Sequence, residues 1–325
     1  MPNPTPEPFT AQLALTQLSE STWQTTSHPQ RMGNALPIAY GGYALTAACQ
    51  AAHLSAPAGY HLYSFLGNYL GPASTDRPLR ATVRSVRQTR SFATRHVEVS
   101  QLQDDGKERV CLFATADFHI KEPAGSLLTY HRPPRGAYSH WSECPSRTET
   151  ADALLAAGDI SRETYARFES AVRVNAGLFE ARMCPEGVFA QNLTGIAKAV
   201  PHSQDDRPLV ERTSADWFRC ASKLPSQTEQ LGALAFYSDG ALSFCPLSFS
   251  HLYHEDSAAC SSLDFALRVF GEVDVQKWCL REITTSVGAE GRTYSEAWIW
   301  DEEGRAVACM SQQSILRAWP EKGKL

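Results

Sequence analysis

Two stretches decide how this chain folds: RSFATRHVEVSQLQDDGKERVCLFATADF at residues 90–118 and GRTYSEAWIWDEEGRAVACMSQQSIL at residues 291–316. In the first, Val97 and Val99 alternate with polar neighbours, DDGK turns the chain, and an apolar strand returns. In the second, Trp298 and Trp300 alternate, EEGR turns the chain, and VACMSQQSIL returns. Period-two alternation around an acidic-acidic-Gly-basic turn marks an antiparallel hairpin. Its appearance in both halves points to one design used twice.

A helix precedes each hairpin. GGYALTAACQAAHL, residues 41–54, is small and apolar on every side, so it must be wrapped by other structure. QLGALAFYSDGALSF, residues 230–244, places Leu231, Leu234, Ala235, Ser238 and Leu242 three and four apart, which favours a helix over an Asp-Gly hairpin. Asp239 then falls on or near the packed face. Gly240 weakens the helix by about 1 kcal/mol relative to Ala and permits a bend or a close backbone approach. The expected fold is α+β: two antiparallel sheets, side by side, each curled around a long central helix.

Composition sets limits. The chain has 325 residues, 43% of them hydrophobic, and a formal net charge of −5, enough for about two domains and without a basic field for nucleic acid. No apolar run approaches the roughly 20 residues of a membrane span. The N-terminus MPNPTPEPFT has no secretory pattern. Nine cysteines, an odd number with no close C-x-x-C pair, read as mostly reduced and buried. HLYHED, residues 251–256, offers His251, His254, Glu255 and Asp256 as metal-ligand types, but such a run is usually a solvated loop, so neither metal nor cofactor is expected. The C-terminal Gly323-Lys324-Leu325 differs from a Ser-Lys-Leu peroxisomal address at its first residue. A cytoplasmic location is expected ahead of a peroxisomal one.

The chain resembles the acyl-CoA thioesterase II family, whose fold is the double hot-dog. In the first half the resemblance runs through YGGYALTAACQAA, YSFLGNYLGPASTDRPL and RQTRSFATRHVEV; in the second it runs through FYSDGAL, SSLDFAL and ACMSQQSILR. By motif position it implies a catalytic Asp at Asp239, a hydroxyl at Ser262 and an amide at Gln312. It implies substrate binding by Gly41, Gly42, Tyr43, Leu66 and Phe265. The family's first-half His is replaced here by Leu66. Its second-half His and the aromatic-rich segment after it give way to Phe265 and Arg268, which remakes the channel wall. Of the neighbouring pair Gln312 and Gln313, strand alternation lets only one point inward, and register selects Gln312. Asp264 reads as structural or capping.

The chemistry of the trio is intelligible from the residue types. Water attacking a thioester must lose a proton, and of the three groups only Asp can take it. Gln and Ser orient the water and stabilise developing charge. The substrate expected is a small-molecule acyl thioester, of an unusual, branched or polyketide-derived acyl group. Two other readings stay open: a non-hydrolytic enzyme of the same fold (dehydration, isomerisation or cyclisation in specialised metabolism), and a ligand-binding protein without turnover. A homo-oligomer is also left open. The expected division is residues 1–121 and 212–325 as hot-dog domains, with 122–211 linking and covering them. Within that segment AVRVNAGLFEARM, residues 171–183, reads as a strand.

Overall fold

The computed structural model describes residues 8–32, 37–121 and 125–320. The terminal Gly323-Lys324-Leu325 lies outside the described residues. In chain order the first half comprises the short α1 (Phe9–Gln12), β1 (Leu15–Ser19), β2 (Thr22–Thr25), α2 (Gly41–Leu54), β3 (Tyr60–Tyr69), β4 (Arg80–Gln88), β5 (Phe92–Leu102) and β6 (Glu108–Ile120). Next come α3 (Arg147–Ala157), α4 (Arg162–Leu178), β7 (Phe179–Met183) and the single turn α5 (Val188–Gln191). The remainder is β8 (Ser214–Cys220), α6 (Gln227–Ser238), α7 (Cys245–Phe249), β9 (Ala259–Ser262), β10 (Asp264–Val269), β11 (Cys279–Ala289), β12 (Arg292–Asp301) and β13 (Ala306–Arg317).

The strands form one continuous sheet in the order β1-β2-β4-β5-β6-β3-β10-β13-β12-β11-β8-β7, with β9 pairing separately on β13. Outward from the β3–β10 seam, β3-β6-β5-β4-β2-β1 on one side corresponds to β10-β13-β12-β11-β8-β7 on the other. The two curved sheets are therefore joined edge to edge, through antiparallel pairing that sets Phe265 opposite Gly67 and Ala266 opposite Leu66. The glycine turns occupy matching places, between β5 and β6 and between β12 and β13. Gly106 and Gly304 have φ of +78° and +77°, the left-handed region that glycine enters without penalty. Each turn closes with the same bonds: Gly106 N to Gln103 O and Gln103 N to Lys107 O in one, Gly304 N to Asp301 O and Asp301 N to Arg305 O in the other.

The all-apolar α2 is buried as its composition requires, from Gly42 to Ala52. It packs against α6, where Thr46 Oγ1 donates to the Gly232 carbonyl at 3.0 Å. A glycine inside a helix costs about 1 kcal/mol relative to Ala. At Gly232 it is needed, because a Cβ there would stand 2.7 Å from Gln50 Nε2. The Gln50 and Thr46 side chains of α2 thus lie directly on the backbone of α6 at Gly232.

Two local expectations are corrected. The second central helix covers Gln227–Ser238 rather than 230–244. It starts earlier because the Ser226 side chain caps the Thr228 amide, and it stops at Ser238 because the chain turns through Gly240 and Ala241, whose φ is +80°. Residues 171–183 are not one strand. The segment up to Leu178 belongs to α4, capped by Ser161 on the Thr164 amide, and only Phe179–Met183 is extended. The β-branched residues of AVRV are outvoted by the cap and by packing of α4 on α3. Strand β7 adds the outer edge to the second half of the sheet, pairing with β8, so Phe179–Met183 of the expected linking segment belongs to the sheet.

Candidate active site

Asp239 is the residue that closes the C-terminus of α6. It is 7% exposed, and its carboxylate points at the N-terminus of α2 from the other half of the chain. That approach is close. A Cβ added at Gly41 would stand 3.0 Å from Asp239 Oδ2 and 3.1 Å from the Tyr69 ring. No side chain caps α2 at Tyr40. The carboxylate takes that place, accepting the Gly42 amide at the positive end of the helix dipole.

Two elements converge on Asp239 Oδ1, and a third supports one of them. Tyr69, at the end of β3, donates its hydroxyl at 2.7 Å. Gln312, on β13, donates Nε2 at 2.6 Å. Ser262, at the end of β9, donates Oγ to Gln312 Oε1 at 2.9 Å. The order Ser262–Gln312–Asp239–Tyr69 is thus one hydrogen-bonded chain spanning both halves. Burial raises the Asp239 pKa above its ordinary value, opposed by hydrogen bonds from Tyr69, Gln312, the Tyr40 hydroxyl and the Gly42 amide. The result is a carboxylate held closer to neutral working pH, as a general base needs.

Asp239, Ser262, Gln312, Gly41 and Gly42 come together. Gln312 is fully buried and Gln313 exposed. Asp264 accepts the Gln313 amide at 2.7 Å and so pins the β9–β10 corner to β13. Tyr43 does not join the site. It lies one turn into α2, so its ring packs on Phe236 and its hydroxyl donates to Gln12 Oε1 at 2.8 Å. Leu66 sits half-buried on β3, opposite Ala266 and Thr115. Phe265 is 2% exposed and packs on Phe65 and Tyr69, with ring centroids 5.1 and 5.7 Å apart. It braces Tyr69 from behind. Gly67 makes room for it, since a Cβ there would fall 2.8 Å from the Phe265 ring.

Sequence reading missed Tyr69 and Tyr40, although both stand in or beside the motifs above: Tyr69 ends YSFLGNY and Tyr40 precedes the double glycine. It also missed a buried ionic clamp. Asp216 on β8 and Arg281 on β11 form a bidentate pair, with Nε and Nη2 each 2.9 Å from a carboxylate oxygen. Arg281 Nη1 then donates to the carbonyls of Tyr237 at 2.9 Å and Gly240 at 3.0 Å, on either side of Asp239. The Tyr237 hydroxyl donates to Asp216 at 2.6 Å and accepts from Arg147 at 2.7 Å. Burial works to raise the Asp216 carboxyl, but the Arg281 charge and its hydrogen bonds hold it below its ordinary value. The available signal was a charged residue among apolar neighbours in each of two strands, Asp216 in SADWFRC and Arg281 in CLREI.

HLYHED is a partly exposed run that is tied down by polar contacts. His251 bonds to Asp205 at 2.6 Å, while Glu255 and Asp256 hold Lys198 at 3.0 and 2.7 Å. His202, Asp205 and His251 bring three metal-ligand atoms within 4.8 Å of one another. Their geometry favours a hydrogen-bonded cluster, because the two imidazoles are parallel to 6° with centroids 4.7 Å apart. An ion in the plane of one ring would lie outside the plane of the other. A cavity of about 570 Å³ bordered by Tyr138, Glu186, Gln204 and Arg207 is lined by none of the residues around Asp239. Among the described residues no helix is long and apolar enough to cross a membrane. All nine cysteines are free, seven of them buried.

Residues 28–119 match the family model described as the acyl-CoA thioesterase N-terminal domain, and residues 169–316 match that of the C-terminal domain. The fold is similar to the tesB protein of Mycobacterium avium subs paratuberculosis, with 14% identity, TM-score 0.68, and coverage of 95% of this chain and 98% of that one. It is also similar to the acyl-CoA thioesterase II TesB2 of Mycobacterium marinum, with 19% identity, TM-score 0.67, and coverage of 96% and 99%. A hot-dog protein of unknown function from Alicyclobacillus acidocaldarius shares 14% identity at TM-score 0.62, covering 96% and 98%. A search of curated proteins finds no match.

Proposed function

The chain belongs to the acyl-CoA thioesterase family, and from that premise we propose that it hydrolyses an acyl thioester with water activated by Asp239. The observation that carries the reading is the hydrogen-bonded chain from Ser262 through Gln312 to Asp239, three residues from separate motifs joined in one line that ends at a buried carboxylate. Asp239 takes a proton as the water oxygen bonds to the thioester carbonyl carbon. Collapse of the tetrahedral adduct breaks the C–S bond, and the proton passes from Asp239 to the departing sulfur, which restores the base. Gln312 and Ser262 hold the water in line. The N-terminal turn of α2 favours the negative charge that builds on the carbonyl oxygen.

Tyr69 enters this scheme as a fourth participant. Its hydrogen bond favours the ionised form of Asp239 against the cost of burial, and it comes from the half of the chain that does not carry the base. In this division residues 1–121 supply Tyr69 and the α2 terminus, residues 212–325 supply Asp239, Ser262 and Gln312, and residues 122–211 link and cover them.

The test is thiol release from a panel of acyl-CoA esters by wild type, Asp239→Asn, Ser262→Ala and Gln312→Ala, with thermal melts as folding controls. Loss of the base lowers the rate about 10²–10⁴-fold. The other two cost less, and their effects are non-additive with the first because all act on one water. A folded Asp239→Asn protein that hydrolyses at the wild-type rate refutes the mechanism. A folded wild type that releases no thiol from any ester refutes hydrolysis.

A further inference from the structure

The sheet face that carries Gln312 is more polar than packing requires. Strand pairing sets Gln312 opposite Ser295 and Ser314 opposite Thr293. It also sets Ser262 opposite Ser314, and Thr285 opposite Ser295. The other end of the same two strands is ordinary core, with Ala297 opposite Met310 and Ile299 opposite Ala308, all fully buried. The change from apolar to hydroxyl-bearing residues occurs at Gln312.

Three of these hydroxyls are satisfied. Ser262 donates to Gln312 Oε1, Thr285 donates to the Tyr294 carbonyl at 3.1 Å, and Ser295 accepts from Cys245 Sγ at 3.5 Å. Two are not. Thr293 Oγ1 and Ser314 Oγ are buried without a hydrogen-bond partner, on residues 5% and 1% exposed. A buried hydroxyl left unpaired bears its full desolvation cost, so such groups in a folded protein call for an explanation. An arriving oxygen would supply the missing partner for both.

We infer that Ser314 and Thr293 recognise an oxygen on the acyl chain, and that the substrate class is a hydroxyacyl or oxoacyl thioester rather than a saturated alkyl one. The inference rests on the hydrolytic reading for where the acyl group begins, at Asp239 and Gln312. Ser314 lies two residues along β13 from Gln312, about 7 Å at strand spacing, so the oxygen sits several carbons beyond the thioester carbonyl. Each hydroxyl both donates and accepts, so the pair suits a hydroxyl or a ketone. Discrimination follows from the same physics. A site built to hydrogen-bond an oxygen rejects the analogue that lacks it, because the site's own groups are then left unpaired.

The experiment measures kcat/KM for decanoyl-CoA and for a series with a hydroxyl or keto group moved along the chain, using wild type, Ser314→Ala, Thr293→Val and the conservative Thr293→Ser. Wild type is expected to favour at least one oxygenated isomer about tenfold or more over decanoyl-CoA. The ratio collapses in Ser314→Ala and Thr293→Val and persists in Thr293→Ser. A wild type that prefers decanoyl-CoA to every oxygenated isomer, or alanine and valine variants that keep the preference, overturns the inference. Calorimetric binding of S-decyl-CoA and its hydroxylated counterparts, which are thioethers and cannot be hydrolysed, separates the two readings. Tighter binding of a hydroxylated thioether by a protein that releases no thiol sustains the recognition site and removes hydrolysis. Active hydrolysis with equal binding of both thioethers does the reverse.

Discussion

Replacing Arg281 by Met tests whether the buried ionic clamp holds the catalytic turn. Arg281 and Asp216 have side chains 6% exposed each and are joined at two points. Removing one partner of such a pair costs about 3–5 kcal/mol, because it strands a charge in the interior. Here Arg147, at 3.7 Å, and the Tyr237 hydroxyl still face Asp216. They place the charge-stranding cost near the lower end, about 3 kcal/mol. The carbonyls of Tyr237 and Gly240 also lose their donor, at roughly 1–3 kcal/mol each if left unpaired. Asp216→Leu strands the guanidinium but leaves those carbonyls satisfied, so it should cost less than Arg281→Met. The double variant removes both charges and should be more stable than the sum of the single losses predicts, by about 1–3 kcal/mol of coupling. It still lacks the donor that fixes the carbonyls beside Asp239. Thiol release should therefore remain depressed, on the order of 10²-fold for a displacement near 1 Å. Urea unfolding of the four forms gives the coupling, and steady-state kinetics of the folded double variant gives the positioning. Additive single losses would refute the pair, and a double variant as active as wild type would refute the clamp.

Three further outcomes are expected. Burial holds the Asp239 pKa above its ordinary value, so its ionisation opposes folding above that raised pKa and is without effect below the unfolded value, about 3.9, where both states are protonated. The melting temperature of Asp239→Asn relative to wild type should therefore climb as pH rises from the ordinary carboxylate range to neutrality, and a constant difference would contradict the burial argument. Tyr69→Phe deletes a hydrogen bond that favours the ionised base. The acid limb of its pH–kcat profile should move to higher pH, and an unmoved limb would mean that Tyr69 does not tune the base. Gly41→Ala brings a Cβ within 3.0 Å of Asp239 Oδ2, so the carboxylate must give by a few tenths of an ångström. Thiol release should fall about tenfold with the melt unchanged, and full activity would show that this approach does not constrain the base.

The sequence by itself determined the elements whose signals are local. Two hairpins with glycine turns were legible because alternation and a left-handed glycine are written within about ten residues. The first central helix was legible to its ends, Gly41 and Leu54, because its apolar composition admits one environment. That only one of Gln312 and Gln313 points inward followed from strand period, and register chose Gln312. The α6 terminus was not legible, since a helix pattern continues past Ser238 while the chain turns through Gly240 and Ala241, and the donor that takes the carbonyls of Tyr237 and Gly240 is Arg281, more than forty residues away. Tyr69 could not be assigned either. Its hydroxyl reaches Asp239 only after β3 and β10 join the two halves and the turn beyond α6 is laid against the N-terminus of α2. Local periodicity fixes which face of an element is buried. What that face meets depends on which distant segment arrives, and for Asp239 that is a tyrosine hydroxyl and a helix N-terminus from the other half of the chain.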